Sequence, residues 1–151
     1  MNARTAIYGI AAGAAGTAVL NATTFADMAI RARPPSKVPG RVVKEIARRS
    51  GVPRLPRERV QGLSMLLGYA DGFASGVLFG VLRPRMRKVP WYAAGLGLAA
   101  LTMVLSEGTA AAMGKTDPRT WGVTGWITDI VPRLLYGGVT CLVYDALTAE
   151  E

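Results

Sequence analysis

Residues 60–82 read VQGLSMLLGYADGFASGVLFGVL, a stretch that weighs a soluble fold against a membrane one. Gly68, Gly72, Gly76 and Gly80 recur every four residues, so on a helix they form one nearly straight stripe. In a water-soluble helix each glycine would cost about 1 kcal/mol relative to Ala. In a bilayer the same stripe lets a second helix approach closely. The stretch carries one charge, Asp71, and at roughly 1.5 Å per residue it is long enough to cross a bilayer. It therefore predicts a membrane protein with a tightly packed small-residue core. The stripe can pack helices inside one bundle or join copies in a homo-oligomer; a chain with several spans favours the first use. Ser64, Gly68, Asp71 and Ser75 share an adjoining face, which turns Asp71 toward a neighbouring helix.

Upstream, Thr5 to Ala26 is uncharged and rich in Gly and Ala, with Gly9 and Gly13 four apart. Asn21, Thr24, Asp27 and Arg31 follow at helical spacing, and Arg33-Pro34-Pro35 stops the helix. The run is longer than the apolar region of a signal peptide, so it predicts a retained first span over 5–30. Residues 36–51, SKVPGRVVKEIARRSG, predict a short basic amphipathic helix over 37–50. Ser36 is its capping residue, and Gly51 and Pro53 end it. Val42, Val43, Ile46 and Ala47 share one face; Arg41, Lys44, Glu45, Arg48 and Arg49 share the other. Such a helix either lies on anionic lipid head groups or packs as a solvated connector on its own protein.

Downstream, Arg83-Pro84 closes the 60–82 span and a short basic link leads to a third span over 89–114. Pro90, Trp91 and Tyr92 suit an interfacial start, and Glu107 sits in the last two turns. Lys115 to Pro118 is a turn with Asp117 as its cap. A fourth span runs over 125–147, with Trp121 and Trp126 at its start. Pro132 is expected to kink it, while Gly137 and Gly138 permit close packing. The expected architecture is all-α: one integral membrane domain, 1–151, a four-helix transmembrane bundle with a surface helix between spans one and two.

The net charge of +8 does not point to nucleic acid, because of where the cations lie. Ten of the 18 Lys and Arg fall between Arg31 and Arg59, and four more between Arg83 and Lys88, in the links between apolar runs. Loops 31–59 and 115–119 share one side and carry 12 Lys and Arg against five on the other. The 31–59 loop is therefore expected in the cytoplasm, with both termini outside. The chain has no His and a single Cys, Cys141, which excludes imidazole chemistry and an intrachain disulfide. No nucleotide loop, metal-ligand spacing or nucleophile motif occurs. The expectation is a non-enzymatic protein with no catalytic residue, metal or cofactor.

The informative chemistry is charge at membrane depth. Asp27, Asp71, Glu107, Asp129 and Arg133 lie within or at the ends of predicted spans, where ionisable groups are expensive and face the interior. Four-span topology puts Asp27, Glu107, Asp129 and Arg133 toward one side and Asp71 near mid-span, as a polar vestibule narrowing to Asp71. Asp129 and Arg133 stand four apart and can pair on one helix; Arg133 can instead reach Asp71 or Glu107 across helices. A carboxylate at that depth can take up a proton, whereas a guanidinium stays charged and needs an acid or water. The cluster reads either as a proton, cation or head-group site or as an ion-pair network that fixes helix register. Asp145, near the far end, reads as interfacial.

The segment DPRTWGVTGWITDIVPRLLYGGVTCLVYDAL, residues 117–147, resembles the YagU-like family of small bacterial inner-membrane proteins. The likeness rests on its Trp-rich start, an acidic residue, Pro-Arg, Tyr-Gly and a closing apolar helix. The opening span, with Asn21, Phe25, Ala26 and Asp27, is similar too. The resemblance implies about four spans, the bacterial inner membrane and a link to acid resistance. The function expected is a small multi-spanning protein whose acidic intramembrane cluster is linked to protons or cations. The alternative is an accessory or assembly subunit of a larger membrane complex.

Overall fold

A computed structural model describes residues 3–52 and 54–149. Among these the chain is all-helical. Five α-helices run in order: α1 (Ala3–Arg31), α2 (Val38–Arg49), α3 (Arg57–Leu82), α4 (Trp91–Ala112) and α5 (Val123–Ala149). Short 3₁₀ turns, Arg83–Met86 and Pro118–Thr120, precede α4 and α5. Four of the helices, all but α2, are long and apolar enough to cross a membrane. The expected segments match to within three residues at each end, and α5 continues unbroken through Pro132. The expected role of Pro53 in ending α2 falls outside the described residues.

Helix ends follow local chemistry. At the end of α1, Ala32 takes φ 50° and Arg33 N–H donates to Met28 O at 3.2 Å, a Schellman closure before the two prolines. Ser36 Oγ accepts from Val38 N–H at 3.3 Å at the start of α2. Gly51, at φ +80°, follows α2 in the left-handed conformation that glycine adopts without penalty. Asp117 Oδ1 accepts from Arg119 N–H at 3.0 Å and caps the turn before α5.

α1 is the central element. It packs along α3 on one side and α5 on the other, and α4 packs along α5. The α1–α3 contact is backbone on backbone. A Cβ on Gly9 would come within 2.7 Å of Gly76 O, and one on Gly13 within 2.6 Å of Gly72 O. A Cβ on Gly76 would meet Gly13 Cα at 2.7 Å, and one on Gly80 would meet Thr5 O at 2.9 Å. A second close crossing joins α4 to α5, where Gly95 faces Gly137 O at 3.0 Å. Gly68 departs from the expected stripe: it is exposed, with nothing within 4 Å of the place its Cβ would take. Gly138 is likewise open.

The interior is therefore made of small residues with Phe79, Leu98 and two tyrosines. Ala12, Phe79, Ala94, Leu98, Tyr136, Cys141 and Tyr144 form the buried cluster. Large aliphatics point outward instead; Leu66 is 65% and Val104 67% exposed.

Candidate functional site: a buried charge cluster

Arg133, on the third turn of α5, is the hub. Its Nε donates to Asp129 Oδ2 at 2.9 Å and its Nη2 to Asp129 Oδ1 at 3.0 Å. The same Nη2 donates to Glu107 Oε1 on α4 at 2.9 Å. The i,i+4 spacing aligns the guanidinium with Asp129 in a fork. The side chains are largely buried: Arg133 is 13% and Glu107 16% exposed. Glu107 Oε2 is buried and has no hydrogen-bond partner. One guanidinium therefore answers two carboxylates.

Asp71, on α3, is half-buried and is the charged neighbour of this group, within electrostatic range of Arg133 and Tyr136. Among the described residues it makes no ion pair and no hydrogen bond. Asp27 does not join the cluster. At the end of α1 it pairs with Arg31 at 2.6 Å and with Arg33, which the left-handed turn at Ala32 folds back onto it. The expected five-residue vestibule is thus corrected to two groups. One is Asp27 with two arginines of its own segment; the other is Glu107, Asp129 and Arg133 with Asp71 beside them. Among the described residues no set of three or more His, Cys, Asp or Glu is placed to hold a metal.

Comparison with family models, with curated proteins and with solved structures gives no match. The site is therefore described by its own geometry.

Four further polar contacts hold the bundle around the cluster. Tyr136 Oη donates to Gly72 O at 2.7 Å and Tyr144 Oη to Gly80 O at 2.9 Å. The two tyrosines are eight apart on α5 and the two glycines eight apart on α3, so parallel helices are bolted at matching heights. Gly80 O is a special acceptor. Its helical partner would be the N–H four residues on, and that residue is Pro84. At the opposite end of the bundle from Arg133, Arg83 forks onto Asp145 at 2.8 and 2.5 Å and also donates to Val89 O at 2.8 Å. Asp145, expected to be interfacial, is thereby part of an α3–α5 clamp.

The fourth contact is Glu45. The amphipathic pattern places it on the solvated face of α2, but its side chain is buried. It bonds Arg48 at 2.6 Å, Arg49 at 2.8 Å and Lys115 at 3.1 Å. Hydrogen bonds from Arg48, then Arg49 and Lys115, hold its carboxyl well below the usual range. Arg41 also donates to Lys115 O at 3.3 Å, so α2 is fixed to the α4–α5 link. The tyrosine spacing and the Gly80–Pro84 interval were visible in the sequence as signals; the Glu45–Lys115 pairing left no local trace.

Proposed function

We propose that this chain is a multi-pass protein of the bacterial inner membrane in which Asp71 exchanges a proton beside a structural Arg133 network. Four long apolar helices with large aliphatics turned outward support a bilayer as their surroundings. In water those side chains would be buried. The excess of Lys and Arg in 31–59 supports a cytoplasmic position for that loop.

The observation that carries the reading is the difference between the acids. Asp129 and Glu107 each receive hydrogen bonds from Arg133, whereas Asp71 receives none. Asp129 and Glu107 spend carboxylate oxygens on the guanidinium, whereas a carboxylate without a partner in a poorly hydrated bundle is free to gain and lose a proton. The Arg133 group then fixes the register of α4 on α5, and Asp71 is the titrating group. Acid stress is the physiological setting suggested by the YagU-like resemblance.

Proteoliposomes loaded with a pH-sensitive dye test this. After external acidification, wild-type vesicles should equilibrate faster than protein-free ones, and Asp71→Asn should return the rate to that of protein-free vesicles. Equal rates for wild type and protein-free vesicles refute the proton role. A constant co-purifying complex in mild detergent would instead favour an accessory subunit.

A further inference from the structure

Between α2 and the first half of α3 runs an apolar groove of ≈ 480 Å³. Val43 and Ile46 of α2, Val52 and Leu55 of the link, and Leu63 and Leu67 of α3 line it. Ile46, Val52, Leu63 and Leu67 are all exposed, so the groove is open along its length. Cations gather where the link enters α3. Arg54 lies between the lining residues Val52 and Leu55, and Arg59 stands one turn before Leu63 on the same helical face. Both are exposed, and among the described residues neither has a hydrogen bond or ion pair. Arg48 and Arg49, by contrast, are engaged by Glu45.

We infer that this groove holds one acyl chain of an anionic phospholipid, with Arg54 and Arg59 binding its phosphate. The inference rests on the membrane reading above, which puts the start of α3 at the head-group level on the side of the 31–59 loop. An aliphatic trough with two exposed, uncommitted arginines beside its lining residues in the chain matches the two halves of a lipid, a chain and an anion. Charge decides between occupants. A second copy seated on the same face would bring its own ten Lys and Arg of 31–59 against these ten, and like charges disfavour that contact. A zwitterionic lipid such as phosphatidylcholine offers the same phosphate beside its own ammonium, so it fills the trough but attracts both arginines more weakly. Pinning of α2 by Glu45 and Lys115 keeps the trough open without the lipid.

The test is lipid binding by the purified full chain in detergent. Native mass spectrometry titrates it with phosphatidylglycerol or phosphatidylcholine of the same acyl chains. Two interfacial cations give an expected preference of about 30-fold for phosphatidylglycerol. Arg54→Gln with Arg59→Gln should abolish the preference while leaving weak binding of both lipids. Leu67→Trp should block the trough and weaken both. Equal binding of the two lipids by the wild type, or an undiminished preference in the double arginine variant, overturns the inference. Carbonate extraction of the native membranes separates this from failure of the membrane reading. Protein retained in the pellet with equal lipid binding refutes the groove alone, and protein released by carbonate refutes the membrane reading and the groove with it.

Discussion

Tyr144→Phe should cost more stability than Tyr136→Phe, although each change removes one phenolic hydroxyl from a buried bond to a glycine carbonyl of α3. Both variants keep the aromatic ring, so the packing of Tyr144 on Phe79, 5.7 Å between centroids, survives. The difference lies in the acceptor. Gly72 O sits inside α3, where the Gly76 N–H is its ordinary helical partner, so losing Tyr136 Oη leaves that carbonyl bonded. Interhelical hydrogen bonds of that kind average about 0.6 kcal/mol in membrane proteins. Gly80 O faces Pro84, which has no N–H to give, and the Arg83 N–H goes to Phe79 O. Removing Tyr144 Oη leaves that carbonyl without its bond, at a cost of about 1–3 kcal/mol. Reversible unfolding in mixed micelles with increasing SDS measures both. Pro84→Ala supplies the missing N–H, so Tyr144→Phe should cost less on that background, and the difference is the coupling energy of the cycle. Equal costs for the two tyrosine variants, or a Tyr144→Phe cost unchanged by Pro84→Ala, would refute the reasoning.

Gly76→Ile should lower stability in the same assay by about 3 kcal/mol or more, because its side chain meets the Gly9 and Gly13 backbone. Leu66→Ile, on an outward-facing residue, should be near neutral, and Gly68→Ala neutral or stabilising by up to about 1 kcal/mol. Arg133→Ala should cost about 3–5 kcal/mol by leaving Glu107 and Asp129 buried without their cation, and adding Glu107→Gln with Asp129→Asn should recover part of it. Glu45 supplies a pH dependence. Its carboxyl is held below the ordinary value of 4.5, so it stabilises the fold above that pH, and the contribution fades as pH falls below it. Glu45→Gln should be less stable than wild type at neutral pH, with the gap closing on acidification; a pH-independent gap would contradict the pairing.

The helices were legible because long uncharged runs bounded by Arg-Pro, Pro-Trp and Asp-Pro signals leave little choice of ends. The α3 stripe was legible as a face, but periodicity does not say where the partner stops. α1 meets α3 at Gly72, Gly76 and Gly80, and helices that cross at an angle separate beyond the crossing, which leaves Gly68 open. In the charge cluster, Asp129 with Arg133 was readable from i,i+4 spacing. Depth along a span grouped Asp27 with them, yet depth carries no information about azimuth, and Arg31 and Arg33 were nearer in the chain. Glu45 and Asp145 depend on partners at Lys115 and Arg83, far off in sequence, so amphipathicity put Glu45, and position near the end of the span put Asp145, at the surface.

The proposed role stands on Arg133 being committed to Glu107 and Asp129 while Asp71 is not. The unfolding midpoint of Asp71→Asn in SDS micelles, beside those of wild type and Arg133→Ala, tests that division most directly. The account predicts a midpoint for Asp71→Asn equal to wild type within about 0.5 kcal/mol, far from the loss at Arg133. A loss as large as that of Arg133→Ala would contradict it and make Asp71 a structural member of one network with Arg133.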